Sequence, residues 1–139
     1  MVGKPEVWLG YRFGKRHLSG SLLTLRFRRH HDVFLRNAID LFQTEHNGTY
    51  PAVGTITAQL TTYSDDTGTA NATKTNIFVY GPYLRAVPPL PVGAKKGSSG
   101  IAAADGAGVG WIYDATTGAI TANCTSSEVD ARGVKYNAY

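Results

Sequence analysis

A single amphipathic run that stops abruptly is the feature that most constrains this chain. Along residues 32–46, at about 100° per residue, Leu41, Phe34, Ala38, Phe42, Leu35 and Ile39 fall on one arc of roughly 160°. Arg36, Asn37, Asp40, Gln43 and Thr44 fill the opposite side. The pattern predicts a helix over 32–46 whose stripe is wide enough to pack on a domain core; a two-stranded coiled-coil seam is narrower. Asp32 stands where an N-cap belongs. The run ends at Asn47-Gly48, residue types that tolerate the left-handed backbone closing a helix, and Pro51 just beyond forbids continuation. Such a helix must bury its stripe on whatever follows it.

The downstream sequence supplies a partner. Trp111-Ile112-Tyr113 and Ala119-Ile120-Thr121-Ala122 flank Asp114-Ala115-Thr116-Thr117-Gly118. Two β-favouring runs around a short loop ending in Gly predict a hairpin within 109–124, with Trp111 and Tyr113 on one face. Residues 55–63 read two ways. Ile56, Ala58, Leu60 and Thr62 alternate as in a strand, whereas Ile56, Leu60 and Tyr63 share a helical face after Thr55. We take the helix, on the resemblance given below. Ser64-Asp65-Asp66-Thr67-Gly68 is turn chemistry. Pro88, Pro89 and Pro91 hold the chain extended, and the Gly/Ala/Ser-rich residues 93–108 predict a flexible surface loop. The expected fold class is therefore α+β, one amphipathic helix on a small antiparallel sheet with long loops.

Charge divides the chain. Residues 1–36 hold eight Lys/Arg against Glu6 and Asp32, and the remainder holds six against eight, which makes up the net +4 of the 139 residues. Residues 1–31 lack periodicity and are expected to form a basic, irregular arm ahead of a globular head at 32–139. No span of roughly 20 apolar residues is present; Leu22-Leu23-Thr24-Leu25 is cut off by Arg26. The lone Cys124 excludes an internal disulfide and a cysteine-rich zinc site.

Three pieces in order carry a resemblance. They are Gln43-Thr44-Glu45-His46-Asn47-Gly48-Thr49-Tyr50-Pro51, followed by a variable segment with Gln59-Leu60-Thr61, then Gly81-Pro82-Tyr83-Leu84-Arg85-Ala86-Val87-Pro88, then the hairpin from Gly110 to Ile120. Over roughly residues 33–139 the succession resembles the soluble head of type II secretion major pseudopilins, of the type IV pilin-like class. The resemblance implies a pilin-like head, no enzymatic activity, and self-association with other pseudopilins into a filament at the periplasmic face of the bacterial cell envelope. That family begins with a leader ending in Gly, then Phe-Thr-Leu-Ile-Glu and a long apolar run. Here Gly20-Ser21-Leu22-Leu23-Thr24-Leu25 places Leu25 where the family has Glu, and Arg26, Arg28, Arg29, His30 and His31 follow. Charge at mid-bilayer costs about 2.5–3.5 kcal/mol per residue on insertion scales, so this stretch does not anchor in a membrane as written. The expectation is a frame-shifted or substituted leader on an otherwise intact head. Translating the upstream DNA in the other two frames then yields the missing Phe-Thr-Leu-Ile-Glu; its absence from both contradicts the expectation.

Other motifs weigh less. Gly106-Ala107-Gly108-Val109-Gly110 lacks the strand-before, helix-after context of a nucleotide loop. His17, His30, His31 and His46 read as solvated and not as a metal set. Asp105 and Asp114 are weak calcium candidates, since hard cations take several loop oxygens and the family is known for a calcium site in its sheet region; no other cofactor is expected. The triplets at Asn47, Asn71 and Asn123 match the glycosylation sequon by chance in an Asn/Thr-rich chain. No local Ser-His-Asp or Cys-His motif points to catalysis. The alternative to a filament subunit is a small non-enzymatic domain whose arm, Arg26-Phe27-Arg28-Arg29-His30-His31 with Tyr11 and Phe13, binds nucleic acid or another anionic surface.

Overall fold

Leu35, Ala38, Ile39 and Phe42 recur at helical spacing, and together they build the inner face of the first helix. In the computed structural model, which describes residues 31–138, α1 occupies 31–45 of the described residues and passes into a turn at 46–48. The helix exit has Schellman geometry. Asn47 is left-handed at φ 54°, and the Gly48 N–H reaches back to Gln43 O at 2.9 Å. The expected stop is thus present. Asp32 is not the cap, because residue 31 is already helical and Asp32 lies within α1, 2% exposed.

Two members of the expected stripe are corrected. Phe34 and Leu41 are 47% and 53% exposed, while Leu35, Ile39 and Phe42 are at most 1% exposed. The head covers an arc of about 100°, from Ala38 round to Ile39, and the wider sequence arc overran it.

After α1 come α2 (Ile56–Thr61), β1 (Tyr63–Ser64), β2 (Ala70–Asn71), β3 (Gly100–Ala102), β4 (Val109–Asp114) and β5 (Ala119–Ala122), then a 3-10 turn at Tyr136–Ala138. Residues 56–61 are helical because Ile56 and Leu60, one turn apart, are both buried in the core. Gln59 secures the segment, accepting from Ala52 N at 2.9 Å and donating to Gly68 O at 2.8 Å. The strand tendency of the same stretch survives only at Tyr63–Ser64, which pairs antiparallel with β2.

The main sheet has the order β3-β4-β5. β4 and β5 form the expected hairpin, with Tyr113 opposite Ile120 and Asp114 opposite Ala119. β3 runs parallel to β4, so the sheet is mixed and not purely antiparallel, and the 93–108 segment contains a strand. Glycine permits this close approach. A Cβ on Gly110 would stand 2.0 Å from Ser98 O. The alternation of β4 puts Trp111 and Tyr113 on one face, 0% and 1% exposed, in one cluster with Leu35, Ile39, Phe42, Leu60 and Leu90. Each such side chain contributes about 1.5–3 kcal/mol by burial. The polar ends of the two aromatics are satisfied. Trp111 Nε1 donates to Pro88 O at 2.8 Å and Tyr113 Oη donates to Pro51 O at 2.9 Å.

Among the described residues, no helix is long and apolar enough to cross a membrane. The basic arm and the leader reading lie outside the described residues. Phe42→Asp is expected to abolish the cooperative thermal transition, because a carboxylate would replace a ring at the centre of the core. Leu41→Asp is expected to change stability by no more than about 0.5 kcal/mol, as at other exposed sites. Equal effects of the two in thermal melts would contradict the assigned face.

Candidate functional site

The polar groups of the head converge where α1 ends. His46 follows the last helical residue and is 3% exposed. Its imidazole stacks on Phe42, with ring centroids 3.8 Å apart and planes 13° from parallel. Nδ1 lies 2.6 Å from Phe42 O, and Nε2 lies 3.1 Å from Ser64 Oγ and 2.9 Å from Asp65 O. Tyr80 meets the ring edge-on at 5.1 Å. Beside it the Tyr83 hydroxyl donates to the Glu45 carboxylate, and the Tyr83 ring sits edge-on to Phe42 at 5.8 Å. Burial, then the bond to Glu45, pushes the Tyr83 phenol well above the usual tyrosine range.

This node fastens the helix exit to the β1 turn. Asp65 Oδ1 accepts from Thr67 N, Thr69 N and Thr67 Oγ1. The Thr67 hydroxyl is the chief cause holding that carboxyl below its ordinary value. The Asp65 backbone carbonyl is thereby presented to His46. His46 had read as solvated; it is a buried hinge pin. Its position gave the signal, since at about 100° per residue it falls inside the arc between Ala38 and Ile39. Ser64 Oγ, His46 Nε2 and the Phe42 carbonyl at Nδ1 stand in line, but Ser64 and His46 are 0% and 3% exposed, so the node positions chain segments and presents no hydroxyl to solvent.

The calcium candidates fall at opposite ends of β4. Asp114 is its last residue. Asp105 is tied to its first through Asn123, whose Nδ2 donates to Asp105 Oδ1 at 2.8 Å and to Val109 O at 2.7 Å. Lys95 Nζ lies 3.0 Å from the same Asp105 oxygen and 3.0 Å from Gly106 O. The bond from Asn123, then Lys95, lowers the Asp105 carboxyl from its ordinary value. A cation is thus already supplied by the chain, in a solvent-screened pair. Asp114 Oδ1 accepts from Thr116 N at 2.8 Å as a turn former, and that bond is the main reason its carboxyl is lowered. The two carboxylates do not share the six to eight oxygens a calcium ion takes. Among the described residues, no group of three or more His, Cys, Asp or Glu side chains is placed to hold a metal.

The remaining motifs are absorbed by the fold. Gly106–Gly110 leads into β4 with no helix after it. The amide of Asn123 is engaged as above, and Asn71 Oδ1 accepts from Thr73 N. A shallow groove of about 480 Å³ lies along the hairpin, lined by Val53, Ala103, Ile112, Ala115, Ala119 and Thr121 among others. Among the described residues, exposed apolar side chains lie in three places, Val33, Phe34 and Leu41 on α1, Ile77 and Val79 in the loop before Tyr80, and Val129 and Val134 towards the C-terminus. The chain matches no protein-family model, no curated protein and no solved structure.

Glu128 closes the far side of the head, where its carboxylate accepts from Ala94 N and Thr125 N. Thr125 first, then Ala94, holds its carboxyl below the ordinary value. A carboxyl lowered in the folded state adds stability above its unfolded value and loses it as pH falls through the folded one. Glu128→Gln is therefore expected to lower the melting temperature at neutral pH. The gap should narrow below about pH 4, the ordinary glutamate range. A gap that stays constant down to full protonation would contradict this role.

Proposed function

We propose that the chain is a structural subunit of a pilus-like filament of the type II secretion class, acting at the periplasmic face of the cell envelope and carrying no catalytic centre. One observation carries the reading. A single helix gives one face to its own head and keeps a second apolar line, Phe34 and Leu41, seven residues apart on its outer flank. A helix of that kind can pack on its head and on a neighbouring subunit at once. The order of parts agrees, with a helix stop at Asn47-Gly48, an irregular segment Gly81-Pro82-Tyr83 bonded back to Glu45, and a Trp111/Tyr113 hairpin in the same core cluster as the helix. A pilin-like arrangement is the finer form of the α+β fold on which this reading rests.

Electron microscopy of the purified full chain tests the proposal. Ordered filaments that are lost in Phe34→Arg/Leu41→Arg, with the melting temperature of the head unchanged, are expected. A wild-type chain that stays monomeric at every concentration, or filaments indifferent to those changes, would overturn it.

A further inference from the structure

Asn47 and Gly48 form the only Asn-Gly dipeptide in the chain. An asparagine followed by glycine is intrinsically reactive, because no side chain shields the next backbone nitrogen from the asparagine amide carbon. Here both residues are exposed, and Asn47 holds the left-handed conformation at φ 54°. That conformation is uncommon for a residue with a side chain. The fold nevertheless holds the nucleophile back. The Gly48 N–H donates to Gln43 O at 2.9 Å, and the next N–H, of Thr49, donates to His46 O at 3.0 Å. The peptide groups on both sides of Gly48 are thus fixed by the helix cap.

We propose that Asn47 is a self-modification site, a deamidation site gated by opening of the last turn of α1. When the turn opens, the Gly48 nitrogen loses its proton to solvent base and attacks Cγ of Asn47. The N–Cγ bond forms, the Cγ–Nδ2 bond breaks, and Nδ2 leaves as ammonia after taking up a proton. The resulting succinimide takes up one water at either carbonyl and opens to an aspartyl or isoaspartyl residue. Water is the only co-reactant and no redox change occurs.

The gate is His46, one residue upstream. Its ring must leave the Phe42 stack and the contacts with Ser64 and Asp65 before the cap can unwind. Reclosure after reaction is disfavoured twice. A carboxylate at a helix C-terminus opposes the helix dipole. An isoaspartyl linkage adds a backbone carbon where the Gly48-to-Gln43 bond needs its present register. The site therefore converts transient opening of the helix–head joint into a permanent loosening of it.

Incubating the full chain in mildly alkaline buffer, with and without urea, and locating the converted residue by peptide mass spectrometry tests this. Wild type, His46→Ala and Tyr83→Phe are compared, with exchange of the Gly48 amide measured in parallel. Tyr83→Phe keeps the ring and loses the bond to Glu45, so it reports on the joint if His46→Ala fails to fold. In the folded wild type conversion is expected to be at least about tenfold slower than in urea, as for chemistry that waits on local opening. Across the three chains the conversion rate should rise in proportion to Gly48 exchange. Conversion of the folded wild type at the urea rate, or a rate indifferent to Gly48 exchange, would overturn the proposal.

Discussion

Phe42 is the side chain on which the head depends. It is 1% exposed, belongs to the cluster that holds Trp111 and Tyr113, stacks on His46 and takes the edge of Tyr83. A Cβ placed on Gly68 would stand 3.1 Å from its ring, so the turn after β1 also closes on it. One residue of α1 thus shares the core cluster with the sheet and meets both the helix exit and the β1–β2 turn. A small domain buries little surface per residue, and a shared central contact lets short elements cooperate. Strands of two and three residues have no independent stability.

The polar atoms around that contact follow the same logic. Backbone carbonyls at Pro51 and Pro88 lie outside regular structure, and each is satisfied by an aromatic side chain of β4. Buried carbonyls left without donors cost about 1–3 kcal/mol each, so these two contacts hold the loops to the core. The carbonyls of Phe42 and Asp65 already accept the backbone N–H groups of His46 and Gly68, and both also lie within hydrogen-bond distance of the His46 ring. Gly118, with φ 72°, lets the hairpin turn pass the Tyr50 ring, where a Cβ would stand 2.3 Å from it. The helix exit and the hairpin tip are therefore fitted to each other across the core.

Much of this was legible in the residues. The periodicity of Leu35, Ala38, Ile39 and Phe42, the stop at Asn47-Gly48 and the Trp111/Tyr113 alternation all express local rules. Phe34 and Leu41 were misplaced because amphipathicity marks which side of a helix is apolar, not how much of it the head covers. His46 lies within the buried arc, yet its chemistry pointed to solvent; the carbonyls of Phe42 and Asp65 and the Ser64 hydroxyl make its burial tolerable. The parallel pairing of β3 with β4 was beyond reach, since Gly100-Ile101-Ala102 sits in a glycine-rich run and the pairing is set by distant backbone contacts. Asp105 carries the right atoms for a cation site, but its neighbours Lys95 and Asn123 come from elsewhere in the chain. The exposed outer flank of α1 became visible only once the inner flank was fixed.

Native-state hydrogen exchange tests the central claim, that α1 and the sheet stand or fall together through Phe42. The amides of Ile39 and Phe42 and those of β4 are expected to exchange through one global opening, with equal free energies that drop together in Phe42→Ala. Exchange of the α1 amides through a separate, lower-energy opening, while β4 stays protected, would contradict the account.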